Sequence, residues 1–516
     1  MNRPLDLYDI QGNICKGYGR FGFPKARYFF LEFHDYAGGR NFLQQLIPLI
    51  TTAEPWSEKK HPDQSDKPAA TTNIAFTYHG LCALGLPRRS LDGFPQEFKM
   101  GMKPRAAILG DNGPSSPQHW DPVWQGDTVH AWVSINGQTQ EAVEQRFSQI
   151  EDLIQSVQGS VSIRPGHKGP NGSLLPYQDA SAVFENGKAT PKEHFGFVDG
   201  IGNPYFEGCG HDPERLPGRG KLNRDGKWEP LATGEFILGH VDEAKEYPLA
   251  PEPHLLARNG TFMVYRKLHE NVKTFNDYVD NMAKDFNGSR ELLMAKFSGR
   301  WPDNGAPLVL APDDKAKAEL DQKMAELQKK AAEGDACAIG QLKALEEQWI
   351  DFTYNDDKHG AKCPIGAHIR RTNTRGSLET EKGAFDRPGA LVDRRRLMRR
   401  GLPYGGHDEL TNDSSEQGII FMCLGASLER QFEFVQQQWV NYSNDFHLGN
   451  DRDVLIGANN GKLTDKAILQ VNPKDGKAPF FCTHLPRMVE TRGGDYFFIP
   501  SITALDMIAQ GIIDPT

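Results

Sequence analysis

The chain has few of the features that would place it in a membrane, in the secretory pathway or on a nucleic acid. No uninterrupted apolar stretch approaches the roughly 20 residues needed to cross a bilayer. The opening residues Met1-Asn2-Arg3-Pro4-Leu5-Asp6-Leu7 lack the apolar core of a secretory signal. A cytoplasmic location is therefore the expectation, with a non-standard export route left open. Cysteine is scarce: seven residues, an odd number, run from Cys15 to Cys482 with no Cys-x-x-Cys pair. That argues against a zinc knuckle and against a disulfide framework. Positive charge is not in excess either. With 59 Lys and Arg against 68 Asp and Glu, the net charge is −9 and the pI is about 6.0. A polyanionic partner is disfavoured, whereas a cationic dye or a metal cation would be tolerated.

What is present describes a soluble globular protein, 38% hydrophobic and 25% charged, and its 516 residues exceed one ordinary core. The N-terminal region has a βαββαβ rhythm. Ala26 to Phe33, Ala75 to Tyr78, Ala131 to Ile135 and Val161 to Ile163 read as strands. Helices are expected near Asn41 to Ile50 and over Gln138 to Ser156, where Val143, Phe147, Ile150 and Ile154 recur at helical spacing. The second half repeats the rhythm more loosely. Thr261 to Tyr265 leads into a helix over Val272 to Phe286, Gly418 to Cys423 leads into Leu428 to Trp439, and Asp495 to Pro500 reads as a last strand. The expected fold class is α+β, with two ferredoxin-like units of antiparallel sheet over residues 1–220 and 221–516. An Ala-, Lys- and Glu-rich helical insertion, solvated on most faces, is expected at about 312–362. Glu54 to Ala70, Lys168 to Glu185 and Cys209 to Gly226 read as long loops, which often frame a site.

Three short segments carry chemistry. Cys363-Pro364-Ile365-Gly366-Ala367-His368-Ile369-Arg370-Arg371 presents one histidine of the chain's 16 in a Pro/Gly-punctuated setting. Neutral imidazole is a common axial ligand of porphyrin iron. The nearby Arg370, Arg371 and Arg375 would bring cations towards the porphyrin propionates. Gly196-Phe197-Val198-Asp199-Gly200 lets backbone approach a flat ligand and places a carboxylate at its surface. Asp199 could carry a proton from the near to the far oxygen of hydrogen peroxide. Arg399, in Arg399-Arg400-Gly401-Leu402-Pro403-Tyr404-Gly405, offers a permanently charged guanidinium for negative charge developing during O–O cleavage. Residue chemistry alone leaves the choice between Arg399 and Arg400 open.

In this order the segments resemble those of the dye-decolorising peroxidase family. The similar elements are Phe195 to Ile201, Cys363 to Arg371, the Arg399-x-Gly401-x-Pro403-Tyr404-Gly405 run and the closing Thr491 to Ser501. The resemblance implies haem b between or beside two ferredoxin-like units. It implies a peroxidase that reduces hydrogen peroxide and oxidises organic donors such as dyes and phenols through a ferryl intermediate. His368 would be the proximal iron ligand, Asp199 the distal acid and Arg399 the distal arginine. Arg375 would contact a propionate, although Asn373-Thr374-Arg375 departs from the family's usual Asn-Pro-Arg. Ile419 and Phe421 would lie over the distal face. Asp453 would receive the imidazole N–H and so raise its basicity.

A bulky dye cannot reach a buried iron, so a surface aromatic would have to relay electrons. Tyr404 and Trp439 are the leading candidates, with Trp301 and Trp349 behind them. Two other readings compete: a haem carrier without catalysis, which would have no use for Asp199 and Arg399, and a ferredoxin-like interaction protein without haem. A homo-oligomer is compatible with each.

Overall fold

A computed structural model describes residues 5–56, 66–200, 202–209, 216–379, 389–406, 412–470 and 478–513. Parts of two expected loops, 57–65 and 210–215, and Ile201 of the acid motif lie outside the described residues.

The first half contains β1 (Lys25–Phe33), α1 (Tyr36–Leu46), β2 (Ala70–Phe76), β3 (Ala131–Gly137), α2 (Gln140–Ser156), β4 (Val161–Ile163) and β5 (Gln178–Ser181). The helices start where capping dictates. The Asp35 carboxylate accepts the Gly38 N–H and the Thr139 hydroxyl accepts the Ala142 N–H. The second half contains β6 (Thr261–Glu270), α3 (Val272–Ala283), α4 (Arg290–Ser298), α5 (Asp314–Ala332), α6 (Ala336–Trp349), α7 (His368–Thr372), β7 (Met398–Tyr404), β8 (Gly418–Gly425), β9 (Val489–Ile499) and α8 (Ile502–Gln510). Two π-helical segments, Leu428–Glu433 and Val435–Val440, fill the helical position between β8 and β9.

The strands form one nine-stranded sheet in the order β7-β8-β6-β9-β2-β3-β1-β4, with β5 also paired to β1. Each half has the strand order 2-3-1-4 of a ferredoxin-like unit. The two sets join edge to edge where β9 meets β2 at Phe498 and Phe76. The sheet curls until β7 lies close to β5, and the His194 ring Nε2 donates to the Tyr404 carbonyl at 2.8 Å across that approach. The main core lies between sheet and helices, with Phe29, Phe30, Trp132, Val133, Phe497 and Phe498 buried. Each such side chain contributes roughly 1.5–3 kcal/mol. A second core surrounds α3 and α4, and a small third one gathers Val392, Val435, Trp439, Val440 and Phe446.

The expected insertion is a helical pair, α5 packed on α6, and its helical part ends at Trp349 rather than near residue 362. Asp313 and Asp335 cap the two helices. Leu320, Leu327, Ala338 and Leu345 form the buried stripe. No helix among the described residues is long and apolar enough to cross a membrane.

Candidate active site

His368 is the first residue of α7. Pro364 starts the turn that precedes it, the Pro364 carbonyl accepting the Ala367 N–H at 2.9 Å. The ring donates from Nδ1 to the Asp453 carboxylate at 3.0 Å, which fixes the tautomer and leaves Nε2 with its lone pair. Asp453 is fully buried. Its other oxygen accepts the backbone N–H groups of Leu455 at 2.8 Å and Ile456 at 2.9 Å. Burial would raise this carboxyl. The His368 ring, by charge and hydrogen bond, together with Arg371 and the Ile456 N–H, outweighs it and holds the group below the ordinary range. Gly457 is required behind it, because a Cβ there would stand 2.3 Å from the Asp453 carbonyl oxygen.

Asp199 sits on a tight loop closed by three hydrogen bonds. The Glu193 carboxylate accepts the Phe195 and Phe197 N–H groups at 2.7 Å each, and the Asp199 N–H reaches the Pro191 carbonyl at 2.9 Å. Arg399 lies on β7 and donates from Nη2 to Asp199 at 2.9 Å. Its own backbone N–H is held by Asn203 at 2.8 Å. Two residues on, Gly401 has φ +107°, and a Cβ there would stand 1.8 Å from the Ile420 carbonyl oxygen on the paired strand. Strand alternation separates the two arginines. Arg400 points the other way and donates to the Asn13 and Ile14 carbonyls at 2.6 and 2.7 Å. Arg399 is thus the guanidinium on the acid.

His368, Asp199 and Arg399 all line one cavity of about 610 Å³, within the usual range for a cofactor or drug-sized ligand. Ile419 and Phe421, one face of β8, supply part of its apolar wall. The residues present fit a haem. An imidazole with Nδ1 engaged and Nε2 available lines a largely apolar space. Arg375, Arg395 and Arg396 line it too, and the buried Arg395 Nε finds no partner among the described residues. Two porphyrin carboxylates would meet cations there.

Comparison with known proteins finds similarity to one group of enzymes. Residues 9–167 match the model of the DyP dimeric alpha+beta barrel domain. The multifunctional dye peroxidase DyP2 of an Amycolatopsis species is 28% identical over 97% of this chain and 95% of its own length. The dye-decolorizing peroxidase AauDyP1 of Auricularia auricula-judae is 27% identical over 97% of this chain and 86% of its own. Among solved structures, an ancestral D-type dye-decolorizing peroxidase superposes with a TM-score of 0.72 at 28% identity, covering 98% of this chain and 99% of that one. Over nearly its whole length the chain is similar to dye-decolorizing peroxidases.

Against the expectations for such a peroxidase, several side chains need correction. Arg370 and Arg371 do not face the cavity. Arg370 is fully buried, donating to the Cys363 and Asp357 carbonyls at 2.8 and 2.9 Å. Arg371 donates to the Gly366 and Trp439 carbonyls, each at 2.9 Å. Both satisfy backbone oxygens that the irregular chain around His368 leaves without strand or helix partners. Arg375 does line the cavity, but its terminal nitrogens donate to the Gly218 and Gly220 carbonyls at 2.6 and 3.1 Å.

Neither leading relay candidate is a surface residue. Tyr404 and Trp439 are each 2% exposed. Tyr404 ends an inward-facing row of β7, and its hydroxyl has no hydrogen-bond partner among the described residues. Burial pushes that phenol well up. Trp439 lines the cavity and donates its indole N–H to Asp445 at 3.0 Å. Trp301 is buried and Trp349 half-buried.

Two features of the cavity are not anticipated from the sequence. Arg20 donates to the second oxygen of Asp199 at 3.1 Å, so the acid lies between two guanidiniums. Nothing in Tyr18-Gly19-Arg20-Phe21 signals this, because the contact is made across the fold. Glu193 faces Glu270 of β6 at the cavity wall. Burial pushes Glu193 up, against its two backbone hydrogen bonds. Burial and then the neighbouring Glu193 push Glu270 well up. The only available signal is the acid in Glu193-His194-Phe195, which is weaker than the nearby Asp-Gly pair.

Proposed function

We propose that the chain is a haem peroxidase that reduces hydrogen peroxide and oxidises organic donors such as dyes and phenols. One observation supports this most: a single cavity is lined by a carboxylate-tethered imidazole and by an acid bonded to a guanidinium. The group we assign to the cavity is haem b, which when bound supplies the redox-active iron. With units divided as 1–220 and 221–516, the first supplies Asp199 and the second supplies His368 and Arg399.

Each residue then has a defined task. His368 offers Nε2 to the metal while Asp453 keeps the proton on Nδ1 and makes the imidazole a stronger donor. Asp199 takes a proton from one peroxide oxygen and returns it to the other. Arg399 holds its positive charge beside that transfer without changing state. Arg20 and Arg399, each bonded to one of its oxygens, hold Asp199 in place. Ile419 and Phe421 would give a bound porphyrin part of an apolar wall.

The test is the optical spectrum of purified protein loaded with haem, before and after one equivalent of hydrogen peroxide, followed by steady-state oxidation of a phenol and a dye. A Soret band that changes promptly with peroxide, and donor turnover, are expected. Haem binding without either response would instead identify a carrier, and absence of haem binding would overturn both.

A further inference from the structure

One stretch of the cavity wall holds a buried ion pair that the peroxide chemistry above does not use. Arg266 lies on β6, opposite Phe421 of β8 and Gly494 of β9. Its Nη2 donates to Asp111 Oδ1 and to the Thr491 hydroxyl. Thr491 in turn donates to the same Asp111 oxygen at 2.9 Å, and its backbone N–H is held by the Ser115 hydroxyl at 3.0 Å. Asp111 follows the short helix Ala106–Leu109, its own N–H bonded to the Ala106 carbonyl at 2.9 Å. Gly110 before it has φ +74°, and a Cβ there would stand 2.5 Å from the Asn441 amide nitrogen. The carboxylate is therefore fixed from both its backbone and its Oδ1 side.

The pair is not saturated. Arg266 is 3% and Asp111 6% exposed, and both line the cavity. Arg266 Nη1 and Asp111 Oδ2 are buried without a hydrogen-bond partner among the described residues. The first can only donate and the second can only accept, and a buried polar group left unpaired is costly. A carboxylate ligand would meet the charge of Asp111, and an ammonium that of Arg266. A neutral hydroxyl suits both, accepting from the guanidinium and donating to the carboxylate. Arg487, the neighbouring cation, directs its N–H groups to Asn459, Asn112, Ser115 and Asn460 at 2.7–3.2 Å. Leu109, Phe421 and Phe432 line the same cavity, and the Arg266 guanidinium carbon stands 5.8 Å from the Phe432 ring centre. An aromatic ring attached to that hydroxyl would have apolar neighbours.

We propose that Asp111 and Arg266 form a subsite for a small neutral phenol within the cavity. The phenolic oxygen accepts from Arg266 Nη1, and its O–H donates to Asp111 Oδ2. Thr491 and Arg266 Nη2 keep Oδ1 engaged, so Oδ2 alone is left for the ligand. As a donor site it rests on the peroxidase reading; as a binding site it does not. Under that reading a small phenol is held inside the cavity and needs no surface aromatic, unlike a bulky dye.

The experiment measures binding of phenol, anisole and benzene to the haem-loaded protein by calorimetric titration, with no peroxide present. Anisole can accept from Arg266 but has no proton for Asp111. Phenol is expected to bind about 10- to 100-fold more tightly than anisole, the range for a hydrogen bond to a charged group. In Asp111→Asn the amide oxygen must stay with Arg266 Nη2 and Thr491, which puts the NH2 group in place of Oδ2. That nitrogen serves phenol and anisole alike, so their affinities are expected to converge to within a few-fold while benzene binds as in the parent. Equal binding of phenol and anisole by the parent overturns the proposal, and so does an unchanged ratio in Asp111→Asn. The parent comparison needs no variant, so it decides the matter even if the Asn chain folds poorly. A protein that prefers phenol but never oxidises it would refute the peroxidase reading and leave the subsite standing.

Discussion

Replacing Asp453 tests the link between packing and cofactor chemistry most directly. In Asp453→Asn one amide oxygen can still accept the Leu455 and Ile456 N–H groups, now 2.8 and 2.9 Å from the carboxylate. The amide nitrogen then faces His368 Nδ1, and both are donors. The ring must move its proton to Nε2, the nitrogen needed for iron, or lose its partner. Losing an oriented partner of a metal-bound imidazole typically costs 10- to 100-fold in affinity, about 1.4–2.7 kcal/mol. Asp453→Ala removes the acceptor for both backbone groups as well. Each orphaned buried donor adds about 1–3 kcal/mol to the loss of fold stability. The assay pairs a haem titration with urea unfolding of the cofactor-free protein. The expected pattern is weakened haem binding in both variants, with a markedly lower unfolding midpoint only in the alanine variant. If Asp453→Asn bound haem as tightly as the parent with the same spectrum, the carboxylate would not be setting the reactive nitrogen of His368.

Other perturbations should separate neighbouring roles. His368→Ala should abolish stable haem retention; a normal five-coordinate spectrum in that variant would discredit the ligand assignment. Arg399→Leu should slow the reaction with peroxide by about 10²–10³-fold in stopped-flow measurements. Arg20→Ala, removing one partly solvated ion pair worth about 0.2–1 kcal/mol, should slow it only a few-fold, and equal losses would contradict this ranking. Tyr404→Phe deletes a buried hydroxyl that lacks a partner among the described residues, so thermal stability should hold or rise slightly and dye turnover should persist. Loss of turnover toward bulky dyes alone would restore Tyr404 as a relay. Lys296 is fully buried, donates to the Pro312 and Lys362 carbonyls, and is pushed down to about 8 by burial. Between that value and its unfolded pKa of about 10.4 the unfolded chain holds more protons. Stability from this group should therefore rise with pH across that window, by up to about 1.4 kcal/mol per pH unit. Lys296→Met should flatten the slope in urea midpoints measured from pH 8 to 10.

Much was determined along the chain itself. Helical spacing in Val143, Phe147 and Ile150 and the unbroken apolar run of β8 marked two elements by local pattern. His368, Asp199 and Arg399 stood out because Pro and Gly hold them in settings that ordinary helices and strands do not require. β7 is not recognisable as a strand from its residues, since Arg, Gly and Pro within Met398–Tyr404 have weak strand propensity. Pairing with β8 overrides that preference, and the pairing also decides that Arg399 rather than Arg400 meets the acid. Arg20 joining Asp199, Arg370 and Arg371 turning inward to backbone oxygens, and the burial of Tyr404 and Trp439 depended on contacts between segments remote in sequence. Local residue chemistry states what a side chain can do, whereas which partner it meets, and whether water reaches it, is settled only when the sheet closes and the loops pack.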